Sequence, residues 1–574
     1  EALTRLGAPP ERVTAHLLLT GPNGDDGRVR TLRSAAAAAA RQGAPLAAAT
    51  RLKRALAESP PDPERAEILA ELGFYEMAAM RFDAAGEHLR AAIGASTELA
   101  RRAEAASILA RCAIVSGGRS ADVVFDTVSA LAQELATVDS ERSLELGSDL
   151  LMLAACAVPL RPRLNEHLRS FEAQARGHPG YEAVARIYLA VGELLAGGSA
   201  QASADEVQAA LAAGLPPSDA TKAGFLAVHT LRNTERYELA LRLLDLGLQG
   251  ARREGHAARQ GLIHGQRAAI ALAQGSLDDA QVEAETGLRL IDHQHFAFLQ
   301  LLTVAMVVHI ERGELDAASA RAREAEAIGV ADDRLFMDQF LPARARLRIA
   351  QGDARAGLSD LLWCGERLQA LGVSWSPEWQ ARTVLALVAV DERVRAQEFA
   401  RDQLVIARRV GAPGALGLML RVAARAADGD QALALLEEAT MVLERSSARL
   451  ELAHALADLG AALNRLGRRR EGRDAERRAI ELADHCGAAV LAETARAELQ
   501  AGPGRRARVE LTGPNSLTAA ERRVCHQAAD GHTNREIAQA LFVTEKTVER
   551  HLSSAYQKLG IRSRFQLAAA IATR

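Results

Sequence analysis

The sequence is poor in aromatic side chains and in lysine, and it has no paired cysteine motif. Aromatic residues make up 3% of the 574 residues, and alanine, leucine and arginine dominate. Because strands favour β-branched and aromatic residues, this composition predicts an all-α protein. The five cysteines are widely scattered and include no CxxC pair, so we expect buried, reduced thiols rather than disulfides or a zinc site.

Targeting and membrane segments are also absent from the sequence. It contains no signal peptide and no apolar run of the ~18 or more residues that a membrane span needs. We therefore expect a cytoplasmic protein with no membrane partner. The first residue is Glu1 rather than Met, and we expect the chain to be a piece of a longer protein or a processed one.

Motifs for catalysis are missing as well. The glycine-rich "GPNGDDGR" near the N-terminus lacks the GxxxxGK[ST] spacing and has no lysine, so it predicts a plain turn and no nucleotide site. No Ser/His/Asp order or metal-ligand spacing is present. In "DHQHF", His293 and His295 stand two residues apart, and such side chains do not share a helical face. We interpret them as surface histidines at a helix end, and we expect no catalytic residue, metal or cofactor in this chain.

A repeated phrase runs through the middle of the chain. A turn, often with glycine, precedes an amphipathic helix that carries a small residue near its start, as in "GSLDDAQVEAETGL". A period of about 39 residues holds two helices and two turns, and the small residue lets the helices approach closely. The sequence therefore predicts an α-solenoid of helical hairpins similar to tetratricopeptide repeats. The recurring small residues are Ala240, Ala280, Ala318, Gly357, Ala396, Ala432 and Gly472.

Changes in this pattern divide the chain into four segments. Residues 1–45 are predicted to be a junction to a missing upstream module, and residues 46–500 to be the repeat domain. Gly-Pro turns and a basic cluster mark a linker at 501–516, and residues 517–574 form a small terminal domain. We expect the concave face of the repeat domain to bind a peptide, a protein or a small ligand rather than to act only as a spacer.

The terminal domain is basic although the whole chain has a net charge of −3. Residues 515–574 hold nine lysines and arginines against five acidic residues, as a nucleic-acid module would. Capping residues predict helices near 518–530, 533–541, 544–559 and 563–572. A short helix, a tight turn and a longer helix form the helix-turn-helix arrangement, whose second helix enters the major groove. The capping residues are Thr518 with Glu521, Thr533 with Glu536, Ser563 with Gln566, and Thr544.

The third of these helices has a polar face opposite an apolar stripe centred on Val548. Arginine and lysine suit guanine, and glutamine suits adenine, so the polar face is predicted to meet base edges. Glu549 lies on the flank of the helix, about 100° from Val548. There its carboxylate can accept a hydrogen bond from a cytosine amino group, or it can disfavour nonspecific binding to any phosphate. Four residues lie within about 40° of the direction opposite Val548, namely Lys546, Arg550, Ser553 and Gln557.

The segment "LTAAERRVCHQAADGHTNREIAQALFVTEKTVERHLSSAYQKLGIRSRFQLAAAI" closely resembles the C-terminal DNA-binding domain of LuxR-family transcriptional regulators. Landmarks such as Gly531, Ile537-Ala538 and Lys558-Leu559-Gly560 recur at consistent spacing. The resemblance implies a four-helix domain that binds double-stranded promoter DNA as a homodimer, with the last helix contributing to dimerisation. It also implies a protein associated with the nucleoid. It adds further residues to the predicted DNA-binding set: Thr533, Asn534, Thr547 and His551.

A helical-repeat body before such a terminus resembles the large ATP-binding, maltose-activator-like regulators. This resemblance implies a transcriptional activator whose repeats sense an inducer or a partner, and it implies ATP only for an upstream module outside this chain. At Glu549 the sequence departs from the family pattern, in which a basic residue often follows Thr-Val and contacts DNA. The predicted DNA contacts of this helix therefore depend more on Lys546 and Arg550. The open alternative is an interaction scaffold whose terminal domain docks protein rather than DNA.

Overall fold

The computed structural model describes residues 10–116, 118, 120–217, 219–328, 336–501, 517, 519–541, 543–561 and 563–572. Within these residues the chain is helical and contains no strand, which confirms the all-α prediction. The helices before the terminal domain are α1 Pro10–Leu19, α2 Asp26–Arg41, α3 Pro45–Leu56, α4 Asp62–Ala78, α5 Phe82–Ala95, α6 Leu99–Val115, α7 Ala121–Leu135, α8 Ser140–Cys156, α9 Arg161–Ala175, α10 Pro179–Leu195, α11 Ala200–Ala213, α12 Lys222–Asn233, α13 Tyr237–Arg253, α14 Ala257–Ala273, α15 Leu277–Leu290, α16 Phe298–Arg312, α17 Leu315–Ala327, α18 Met337–Ala350, α19 Ala354–Ala370, α20 Pro377–Ala389, α21 Arg393–Val410, α22 Pro413–Ala426, α23 Gly429–Glu444, α24 Arg449–Arg465, α25 Arg469–Cys486 and α26 Ala489–Ala501.

Successive helices pack in pairs, for example α4 with α5, α14 with α15 and α24 with α25. Each small residue of the repeated phrase lies near the start of the second helix of its pair. Ala280 in α15 and Ala396 in α21 are fully buried, whereas Ala432 in α23 is half-buried. The body is therefore a tetratricopeptide-like solenoid of helical hairpins, as predicted.

The close approach of paired helices is clearest between α24 and α25. A Cβ atom added at Gly460 would lie 2.9 Å from the carbonyl oxygen of Gly472, and one added at Gly472 would lie 2.9 Å from the oxygen of Gly460. Both obstacles are backbone atoms, which cannot move aside as a flexible side chain can. The small residue of the repeat is thus a packing requirement at this position.

Contacts between distant hairpins show how the solenoid curls. The Gly414 amide donates to the Glu235 carboxylate, 179 residues away in sequence. Hydrogen bonds between turns join residues that are 143 to 212 positions apart, and several of these separations lie near 180. One superhelical turn therefore takes about 180 residues, or four to five hairpins. The contacts with this spacing join Val115 to Phe296, Leu195 to Trp375, Glu235 to Gly414, and Gly313 to Val490.

Charged side chains inside the solenoid are mostly paired. The Lys222 amine lies 2.6 Å from Asp149 and 3.1 Å from Asp219. The Arg346 guanidinium lies 2.6 Å from Glu311, and the carboxylate of Glu311 has a pKa well below its usual range because Arg346 and a neighbouring histidine stabilise its charge. This pattern follows the rule that a charge removed from water needs a partner of opposite sign.

The first hairpin extends the solenoid beyond the boundary predicted at residue 46. Helix α2 packs on α3, and Val29 and Leu32 share a core cluster with Leu52 and Leu72. Residues 26–41 are therefore part of the hairpin array rather than only a junction. Of the linker predicted at 501–516, residues 502–516 lie outside the described residues, and Ala501 is the last residue of α26.

Two predictions about single residue types have different outcomes. All five cysteines are buried and unpaired, as expected. The interpretation of both histidines in "DHQHF" as surface residues is wrong for His295, which is buried and stacks on Phe296 with ring centroids 4.9 Å apart. His295 lies in a turn, where Nδ1 accepts from the Ala297 amide at 3.2 Å, whereas His293 is exposed.

No single helix in the described ranges is long and apolar enough to cross a membrane. One bent pair, Ser140–Cys156 with Val158–Ala175, meets the length and composition criteria only when its two helices are taken together.

Candidate nucleic-acid interface

The terminal domain contains helices α27 Ala519–Ala529, α28 Asn534–Leu541, α29 Glu545–Leu559 and α30 Leu567–Ala572, with a short 3-10 turn Arg564–Gln566 before α30. These bounds match the four predicted helices to within a few residues. The helices enclose one small core that includes Val524, Ile537 and Val548. The two helices of the helix-turn-helix, α28 and α29, pack directly on each other.

The predicted capping residues begin these helices where the structure describes them. The Thr533 amide donates to Glu536 at 2.7 Å, and the Glu536 amide donates to the Thr533 hydroxyl at 3.3 Å. The Thr547 amide donates to the Thr544 hydroxyl at 3.2 Å. Ser563 and Gln566 also form a capping box, whereas Thr518 lies outside the described residues.

Helix α29 has the two faces that the helical wheel predicts. Val548 and Ala555 are fully buried, while Lys546, Arg550 and Ser553 are exposed. Neither Lys546 nor Arg550 forms an ion pair within 4.0 Å with a residue that the structure describes. The helix thus presents two basic groups and a hydroxyl on one outward side, and the side chain of Gln557 lies outside the described set.

The other predicted DNA-binding residues have neighbours within the domain. The Thr533 side chain caps α28. Asn534 is half-buried and accepts from Arg564 at 2.8 Å, and the Thr547 hydroxyl lies 2.8 Å from that of Thr544. These contacts fix the start of each helix, and DNA contact by these three residues stays a prediction.

A buried ion pair that the sequence did not predict joins α27 to α29. The Lys558 amine lies 2.8 Å from both oxygens of Glu521, and the Ser554 hydroxyl donates to Glu521 at 2.6 Å. Glu521 is buried, and Lys558 closes the pair from the last turn of α29. The sequence carries one signal of this pair, because on the helical wheel Lys558 falls beside the apolar stripe rather than opposite it.

Polar contacts join the terminal domain to the solenoid. Arg523 lies 3.7 Å from Asp279 at the start of α15, and the Lys558 amine lies 3.5 Å from His485 near the end of α25. His551 is half-buried on this side, and burial lowers its pKa although Asp279 acts in the opposite direction. The exposed row of Lys546, Arg550 and Ser553 is therefore more accessible than His551.

A family model described as "Bacterial regulatory proteins, luxR family" matches residues 515–571, which contain the helices of the terminal domain except for Ala572, the last residue of α30. Spore germination protein GerE of Bacillus subtilis is 48% identical to this chain over 50 residues, which cover 9% of this chain and 68% of GerE. The chain belongs to the luxR family. The luxR-type domain is thus the part of the chain that carries the family relationship.

A second relative matches a slightly longer segment. The putative HTH-type transcriptional regulator Mb0914c of Mycobacterium bovis is 44% identical over 81 residues, which cover 14% of this chain and 9% of that protein. The matched segment spans less than a tenth of the mycobacterial relative. An 81-residue match leaves most of the solenoid outside this similarity.

A solved structure, titled "Crystal structure of APC/C hetero-tetramer Cut9-Hcn1", aligns along most of the solenoid. The alignment covers 95% of this chain and 96% of that one, at 12% identity and a TM-score of 0.37. A similarity of this strength carries no argument about function.

Proposed function

We propose that this protein is a sequence-specific, DNA-binding transcriptional regulator that places α29 in the major groove. The observation that carries the proposal is the outward row of Lys546, Arg550 and Ser553 on the second helix of a luxR-type helix-turn-helix. Arginine and lysine pair with guanine O6 and N7, and serine can contact several bases. The names of the relatives, which include transcriptional regulators, support the same function.

A homodimer on DNA is part of the proposal. Phe565, at the start of the last helical segment, is 97% exposed. An isolated aromatic ring in water gains stability by packing against a partner, and two copies of a helix-turn-helix bind half-sites about one helical turn apart. Phe565 on one copy packing against the other therefore fits the proposed dimer.

The finer parts of the proposal concern the repeat body. We propose that the solenoid senses an inducer or a protein partner, and that the protein acts as an activator. The supporting observation is that its superhelical turns contact each other directly, as where the Gly414 amide and the Ser446 hydroxyl both donate to Glu235. A ligand bound between hairpins can change how such turns stack, and so alter the position of the terminal domain.

A salt titration tests DNA binding against the scaffold alternative. Binding of the full chain to duplexes selected from a random library should weaken steeply between 50 and 200 mM salt, because each neutralised phosphate releases counterions. Fluorescence anisotropy measures the affinity. Near-identical affinity at low and high salt would reject phosphate contacts and favour a terminal domain that docks protein.

Changing Glu549 to lysine should raise nonspecific DNA affinity and steepen the salt slope by about one unit, through one added phosphate contact. Glu549 is exposed on the flank of α29. Anisotropy with a non-operator duplex measures both quantities. The matched control is Glu398→Lys on α21 of the solenoid, which changes the net charge equally at an exposed site. An equal effect of both variants would contradict a position of Glu549 near the DNA backbone.

A further inference from the structure

A cavity of about 640 Å³ lies between three successive helices of the solenoid, α19, α20 and α21. This volume falls within the range of about 300–1,000 Å³ that is typical of pockets for small molecules. The turn between α19 and α20 contributes Gly372, Val373 and Ser374 to the lining. The cavity therefore has the size of a ligand site, and two adjacent hairpins, α18 with α19 and α20 with α21, build it.

Two aromatic rings form part of the cavity wall. Trp379 and Phe399 are both half-buried, and their rings meet edge to face with centroids 5.7 Å apart. The indole nitrogen of Trp379 donates to the Leu361 carbonyl at 2.7 Å, which fixes the ring in place. A Cβ atom added at Gly365, which also lines the cavity, would lie 2.6 Å from the Trp379 ring. The glycine thus leaves room for the ring, and the aromatic wall is preformed.

Carboxylates outnumber basic groups around the cavity. Three carboxylates and one guanidinium line it, namely those of Glu366, Glu398, Asp402 and Arg395. The last two have neighbours of opposite charge outside the lining, since Arg395 lies 2.9 Å from Glu392 and Asp402 lies 4.0 Å from Arg401. Neither Glu366 nor Glu398 forms an ion pair within 4.0 Å with a residue that the structure describes. The lining is therefore negative by two charges, and the two outside neighbours leave that balance unchanged.

A buried acceptor next to the wall has no hydrogen-bond partner. Gln380 is fully buried, and its Nε2 donates to Gln403 at 2.6 Å and to the Ser374 carbonyl at 3.0 Å. Gln403 and Ser374 both belong to the lining. No described residue donates a hydrogen bond to Oε1 of Gln380. A buried acceptor in this state favours a ligand that donates hydrogen bonds over one that only accepts them.

We propose that this cavity binds a small organic cation, whose apolar body lies against Trp379 and Phe399 and whose ammonium group lies near Glu366 and Glu398. A cation over an aromatic ring is attracted by the negative face of the ring, most strongly for tryptophan. The two unpaired carboxylates attract the same charge and repel an anion. The ligand class is therefore an amine with an apolar body, and not a phosphorylated or carboxylated metabolite.

The cavity adjoins a contact between superhelical turns. The Ser374 and Trp375 amides donate to the Leu195 carbonyl at 2.9 and 3.0 Å, and Ser374 lines the cavity. Ile406, which also lines it, lies 2.9 Å from the position that a Cβ atom at Gly197 would take. A bound amine would thus connect α19, α20 and α21 beside the point where the end of α10 meets them, and so shift how the turns stack. If the solenoid is the sensor proposed above, this site names the chemistry of its inducer, and that step alone rests on the proposed function.

Calorimetry of the full chain without DNA tests the receptor, with phenethylamine as the probe. Phenethyl alcohol has the same apolar body without a charge, and phenylacetate has a similar body with the opposite charge. Phenethylamine should bind about tenfold more tightly than the alcohol, because it adds a cation–π contact and attraction to the carboxylates. Phenylacetate should bind more weakly than either. Binding of the alcohol or of the anion as tight as that of the amine would overturn the proposal, as would absence of amine binding.

Two variants at exposed positions locate the binding. Leu362→Trp places a larger side chain at the rim of the cavity and should remove most binding of both the amine and the alcohol. Glu366→Gln combined with Glu398→Gln should weaken amine binding by about fivefold or more without changing alcohol binding, since only the charge is lost. The matched control, Glu166→Gln with Glu172→Gln, neutralises two exposed carboxylates of α9 and should bind both probes as the wild type does. Thermal unfolding without probe should give each variant the wild-type Tm, and wild-type amine affinity in either cavity variant would contradict the site.

A separate measurement tests the sensor role. Anisotropy titrations of the full chain with a selected duplex are made with and without saturating phenethylamine. A change in DNA affinity that the Leu362→Trp variant lacks would support the inducer chemistry. If the amine binds in calorimetry but leaves DNA affinity unchanged, the receptor stands and only its sensor role fails. Because the calorimetry contains no DNA, its outcome is independent of whether the protein regulates transcription.

Discussion

Replacing Lys546 and Arg550 together by alanine should reduce operator affinity by about 100-fold or more at 0.15 M salt. Each side chain is exposed on the outward face of α29, and a bidentate contact to guanine contributes about 1–3 kcal/mol of discrimination. The double variant should also lose most of its preference for the operator over random DNA, because it lacks the residues proposed to read bases and keeps the other residues proposed to contact phosphate. Anisotropy titrations with both duplexes measure the two effects.

The single variants separate base reading from phosphate binding. Arg550→Ala should relax selectivity at one base position, whereas a residue that contacts only phosphate would weaken all sequences alike. Arg401→Ala on the solenoid removes an exposed arginine far from α29 and should leave operator affinity unchanged. Unaltered discrimination among operators by Arg550→Ala would refute its base-reading role.

Replacing Glu521 by alanine should destabilise the terminal domain by about 3 kcal/mol. Its carboxylate binds the Lys558 amine through both oxygens at 2.8 Å and accepts from Ser554. Without it, a partly buried ammonium group in α29 has lost its partner, and α29, the helix proposed to read DNA, loses this polar contact to α27. A domain of this size has a total stability of only about 3–9 kcal/mol. Hydrogen exchange of residues 519–572 in the full chain should therefore become much faster.

Two variants control this result. Glu545→Ala removes an exposed carboxylate at the start of α29 and should change exchange only slightly. Replacing both partners, as Glu521→Leu with Lys558→Met, should restore much of the protection, because apolar residues of similar volume can replace a buried pair. If Glu521→Ala exchanges as slowly as the wild type, the pair contributes little to the position of α29.

The helix bounds of the terminal domain could be predicted because capping is a local effect. Thr533, Thr544 and Ser563 each satisfy a backbone amide within three residues, so the residues that determine a helix start lie next to it in sequence. The outward direction of Lys546 and Arg550 follows equally from helical periodicity once Val548 faces the core. The pairing of Glu521 with Lys558 is different, because it joins two helices 37 residues apart.

In the repeat body, too, features of neighbouring helices could be predicted from the sequence, whereas contacts between residues distant in sequence could not. The recurring small residues predicted the hairpins, since their period reflects contacts between adjacent helices. The extension of the array to α2 was missed because its polyalanine sequence lacks the repeated phrase. The burial of His295 was missed because its partner ring, Phe296, belongs to a cluster formed with Phe225 and Phe336.

By itself, the sequence determined the helical class, the hairpin period, the position of the luxR-type domain and the face of α29 that points outward. Each depends on residues within one helix or one helical pair. The tertiary structure alone decided that turns of the superhelix stack about 180 residues apart and that Glu521 pairs with Lys558. The physical reason is that small packing angles between successive hairpins accumulate along the chain, so contacts between distant repeats depend on all the hairpins between them.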